Sequence, residues 1–78
     1  MDETTSLILL HVARQTGRLG RAGFSREVAA QGWTKSIAAA RRELEVLVEK
    51  RLLTETPGTA YLCVTVEGVE ELRKAGRL

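Results

Sequence analysis

The chain has 78 residues, 44% of them hydrophobic, and a net charge of +2. At this length it is one domain, residues 1–78, that buries only about 60% of the surface its unfolded chain exposes. It is too apolar to be disordered and too small for a sizeable substrate pocket, and its single cysteine, Cys63, excludes an internal disulfide.

The charge is unevenly placed. Residues 11–42 carry Arg14, Arg18, Arg21, Arg26, Lys35, Arg41 and Arg42 against one acid, Glu27. A basic middle third points to an anionic partner. The alternative is a solvated arginine surface.

The first helix is expected from Thr4 or Thr5 to Gln15, capped by a threonine, with Asp2 and Glu3 at the positive end of its dipole. Ile8, Leu9, Val12 and Ala13 share one face, and Leu7 and Leu10 lie roughly opposite. A helix apolar on two sides is either sandwiched within its domain or buried by a second chain. The run Leu7–Leu10 is too short to span a bilayer. The acids before it do not fit a signal peptide, and the lone cysteine suits a reducing compartment, so a cytoplasmic protein is expected.

A loop rich in glycine and arginine follows, Gly17–Gly23. Ser25 is expected to cap a short second helix that Gly32 stops. Thr34 is expected to cap the third helix, about residues 34–50, with Trp33 stapled onto its first turn. On that helix Ile37, Ala40, Leu44, Leu47 and Val48 form a core stripe. Lys35, Ala38, Ala39, Arg42 and Val46 point away, and Arg41 lies on the flank. Two short β-patterns flank Pro57-Gly58, giving a hairpin with Leu62 and Val64 facing inward. Thr65 caps a last helix that carries Val66, Val69 and Leu72 and runs through Ala75, with Gly76 as its stop.

The order is helix, helix, helix, hairpin, helix, with a tight turn between the second and third. The fold class is α+β, mostly α. The most telling segment is "LEVLVEKRLLTE…YLCVTVEGVEEL". It resembles the winged helix-turn-helix domains of bacterial MarR-like and PadR-like regulators, in which Leu-x-x-x-Gly-Leu ends the recognition helix and Leu-Thr-x-x-Gly opens the next one. Leu47, Leu52, Thr65 and Gly68 occupy those places. The resemblance covers nearly the whole chain. It implies three helices, a β-hairpin wing and a C-terminal helix, with the third helix in the major groove and the wing along the backbone or minor groove. Two positions depart from the pattern. Arg51 stands where the family has glycine, and the wing tip "TETPGTA" carries Glu55 and no cation, so it gains nothing from phosphate neutralisation.

On this reading the front of the third helix meets bases. It offers Thr34, Lys35, Ser36, Ala38, Ala39 and Arg42, with Arg41 as a phosphate clamp. Lysine and arginine suit guanine acceptors and alanine suits a thymine methyl. Glu43, Glu45 and Glu49 come later, where the helix leaves the duplex. Ser25 and Arg26, opening the second helix, would contact phosphate, and Arg18 and Arg21 would add nonspecific contacts. The plainer alternatives are an amphipathic helix with alanines for propensity, an N-cap serine and a solvated loop.

The expected function is sequence-specific binding of double-stranded DNA by a small transcriptional regulator. A homodimer would pair through Leu7 and Leu10 with Val69 and Leu72. The rival readings are a protein-interaction module and a structural subunit of a phage or plasmid nucleoprotein complex. No enzyme is expected, because no paired carboxylates, phosphate loop or acyl-transfer group is present. Nor is a cofactor or metal: one histidine and one cysteine cannot supply the three or four ligands of a zinc site. His11 reads as packed or at an interface, and Cys63 as a strand filler.

Overall fold

A computed structural model describes all residues, 1–78. Its elements are α1 (Glu3–Gln15), α2 (Arg21–Ala30), α3 (Ile37–Glu49), β1 (Leu53–Glu55), β2 (Leu62–Val64) and α4 (Val66–Lys74). The architecture is α+β and mostly helical, with four helices and one two-stranded antiparallel hairpin. No helix is long and apolar enough to cross a membrane.

Local chemistry sets the helix starts. Asp2, not a threonine, caps α1, accepting from the Thr5 N–H at 2.7 Å. That bond holds the Asp2 carboxyl below the usual carboxylate range. α3 starts behind Ser36, whose Oγ accepts from the Ala39 N–H at 3.0 Å. The expected cap, Thr34, instead donates its hydroxyl to the Ser36 carbonyl at 3.1 Å, within the turn. Thr65 caps α4 as expected, accepting from the Gly68 N–H at 3.0 Å.

The start of α2 differs from expectation. The helix begins at Arg21, behind Gly20, which supplies an extended backbone and no side-chain cap. Ser25 therefore sits inside the helix, fully buried, and its hydroxyl donates to the Arg21 carbonyl at 3.0 Å. A serine in mid-helix satisfies itself this way when no orphan N–H is within reach.

Gly32 and Gly76 stop α2 and α4 in the left-handed region, at φ 78° and 73°. α3 ends with the same paired backbone bonds but without glycine. The Arg51 N–H reaches the Val48 carbonyl and the Leu52 N–H reaches the Leu47 carbonyl, each at 3.0 Å. Arg51 takes φ 62°, where a side chain costs about 1–2 kcal/mol.

All the elements feed one core. α1 contributes Ile8, Leu9 and Val12, α2 Phe24 and Val28, and α3 Ala40, Leu44 and Leu47. Leu53, Leu62, Leu72 and the loop residue Leu19 complete it. α2 packs on α3, while α1 packs on both β2 and α4. Of the second apolar side of α1, Leu10 packs against the core, while Leu7 is half-buried and outside the core cluster. Leu72 is fully buried. Leu72 is therefore a core residue and cannot form a dimer contact, because α4 closes over α1. Ile37 is the other correction: at the first position of α3 it projects beyond the packed stripe and is 43% exposed.

The hairpin pairs Leu53 with Val64, Thr54 with Cys63 and Glu55 with Leu62. Directly paired residues share a sheet face. Leu53 and Leu62 are buried, and Val64 packs half-buried against the core. The Leu62 N–H donates to the Leu19 carbonyl at 2.7 Å, tying the hairpin to the segment ahead of α2.

Candidate nucleic-acid interface

The exposed surface of α3 changes character along its length. Lys35 and Ser36 ahead of the helix, and Ala38, Arg41 and Arg42 in its first half, are exposed; Thr34 and Ala39 are half-buried. Lys35, Arg41 and Arg42 form no ion pair, and neither do Arg18 and Arg26, both also exposed. Arg26 lies in the middle of α2, not at its start.

Arg21 behaves differently from the other cations. Its Nε and Nη2 donate to Glu55 Oε1 at 2.8 and 2.5 Å, and its Nη1 pairs with Glu45. One guanidinium so joins the first turn of α2, the middle of α3 and the turn end of the hairpin's first strand. The two carboxylates, Glu55 foremost, hold Arg21 above its usual pKa. The side chain is 44% exposed, so water screens the pairs and their worth is modest. Their structural consequence is plain: one guanidinium is shared between two acids, leaving the cluster with one net negative charge, and Arg21 is occupied.

Between the start of α2 and α3 lies an open groove of about 380 Å³, lined by Arg21, Ala22, Arg41, Arg42, Leu44 and Glu45. Three guanidiniums and one already paired carboxylate border it. Such a rim suits an anion, and two of its arginines are free to meet one.

The residues singled out from the sequence are thus divided. Lys35, Ser36, Ala38, Arg41 and Arg42 lie together at the front of α3. Ser25 is removed from any phosphate contact by its full burial. Leu7, Leu10 and Val69 are half-buried, and the most exposed apolar side chain of α4 is Val66, at 73%. Sequence reading missed the roles of Glu45 and Glu55. Their partner lies 24 and 34 residues away, and no periodicity signals a contact at that range.

The remaining chemistry-bearing residues are His11 and Cys63. His11 packs edge-on against Trp33, with ring centroids 5.5 Å apart, and its Nε2 lies 3.4 Å from Glu27 Oε1 without a hydrogen bond. Cys63 Sγ meets the Thr56 hydroxyl at 3.1 Å inside the hairpin. No three His, Cys, Asp or Glu side chains are grouped to hold a metal ion. Compared with known proteins, the chain matches no family model, no curated relative and no solved structure.

Proposed function

We propose that this chain is a winged helix-turn-helix protein that binds double-stranded DNA with sequence preference, as a small transcriptional regulator. α2 and α3 form the helix-turn-helix, the β1–β2 hairpin is the wing, and α3 enters the major groove by its N-terminal half. The observation that carries this reading is the pairing pattern. Lys35, Arg41 and Arg42 are exposed and unpaired at the front of α3, while the acids nearest the wing and mid-helix are held by Arg21.

The division of labour follows from chemistry. Arg42 suits the paired acceptors of guanine. Arg41, on the groove toward α2, suits phosphate, with Arg18 and Arg26 as further phosphate contacts. The wing tip has no cation to offer. Its contribution is therefore shape, with Glu55 beside the turn paired to Arg21. A symmetric pair would present two α3 helices to successive major grooves about 34 Å apart. Leu7, Leu10 and Val69 are the half-buried apolar residues available to such a pair.

A duplex titration at several salt concentrations tests the reading. Three to five neutralised phosphates predict a slope of log affinity on log salt of about −2.7 to −4.5. Affinity should then fall roughly 40- to 500-fold between about 50 and 200 mM salt. The rival, a protein-interaction module, is favoured by the cation-free wing tip and by Val66. Absence of duplex binding at the lower salt would select it.

A further inference from the structure

We propose that the first turn of α3 reads thymine through its C5-methyl group, with Ile37 as the main reader and Ala38 beside it. This rests on the DNA-binding reading above and names the bases that it selects.

Ile37 is out of place as a structural residue. It holds the first position of α3 and is 43% exposed, while the core beneath is closed by Ala40, Leu44 and Leu47. A β-branched residue there adds little helix propensity, and its exposed area contributes nothing to folding. Ala38, next along the helix, is exposed as well. The surroundings of this apolar spot are cationic. Residues 34–42 contain Lys35, Arg41 and Arg42 and no carboxylate, and none of the three cations is paired.

An apolar spot inside a cationic rim complements a surface with the reverse pattern. The major groove is such a surface: phosphates flank it, and the thymine methyl is the one apolar group that base pairs present there. Ser36, Ala38 and Ala39 are small enough to let the backbone come close. Arg42 lies four residues beyond Ala38 on the same outward face, about 6 Å along the axis. A preferred half-site should therefore carry both a thymine and a guanine.

The test begins by selecting binding duplexes from a random-sequence library. Each thymine of the selected duplex is then replaced in turn by deoxyuridine, which removes only the methyl. One or two positions should lose about fourfold in affinity, the worth of one buried methyl-sized group. Ile37→Ala should bind the thymine duplex correspondingly less tightly and no longer distinguish it from the uridine duplex, with the salt slope unchanged. The uridine series on the unaltered protein stands even if the variant folds poorly. Equal binding of thymine and uridine duplexes, discrimination that survives Ile37→Ala, or a library that yields no preferred sequence despite salt-dependent binding would each overturn this inference and leave DNA binding intact. No binding of the library at about 50 mM salt would overturn both.

Discussion

Gly68→Ala should destabilise the domain by about 2 kcal/mol or more and lower its melting temperature by roughly 10 °C. A Cβ at this position would stand 2.4 Å from the Leu52 carbonyl oxygen and 2.6 Å from Val64 Cγ1. The carbonyl cannot move aside freely, since it accepts from the Thr65 N–H at 3.1 Å at the joint of α3, the hairpin and α4. Thr65 pins the same joint by donating its hydroxyl to the Arg51 carbonyl at 2.5 Å. Alanine restores about 1 kcal/mol of helix propensity, too little to offset overpacking against backbone. Arg51→Gly should act in the opposite direction in the same denaturation assay, because it relieves a left-handed φ on an exposed residue whose side chain forms no ion pair. Equal stability of Gly68→Ala and the parent would contradict this account of the joint.

The second large effect concerns binding. Arg42→Ala should weaken a selected duplex by about 5- to 150-fold, the range for a bidentate contact to guanine, and should relax preference at one base pair. Arg41→Ala should weaken all sequences alike and reduce the magnitude of the salt slope by about 1. Neither change should move the melting temperature appreciably, because both side chains are exposed and unpaired. Fluorescence anisotropy across a salt series separates the two roles. If both variants bound as the parent does, the front of α3 would not be the interface.

Much of the fold was legible because its determinants are local. Gly32 and Gly76 mark helix ends, Pro57-Gly58 marks the hairpin, and Ala40, Leu44 and Leu47 keep the helical period. What escaped was set by competition or by distance. Ser25 has the chemistry of a cap, but α2 had already begun at Arg21, so the serine bonds one turn back and is buried. Ile37 keeps the period of the core stripe, yet at the first position it is left 43% exposed. Leu72 fits a dimer face by pattern, and the closure of α4 over α1 takes it instead. The site was legible as a cluster of cations. Which of them are free was not, since the Arg21 clamp depends on how hairpin and helices are placed in three dimensions.

That distinction between occupied Arg21 and free Arg41 and Arg42 is the centre of the account. The direct measurement is a nuclear magnetic resonance titration of labelled protein with a DNA duplex at about 50 mM salt, where phosphate contacts are strongest. Amide and arginine side-chain signals of Lys35 through Arg42 should shift most, with those of Arg26 following, while the Arg21 guanidinium keeps its signals. No shifts, or shifts centred on α1 and α4 instead, would contradict it.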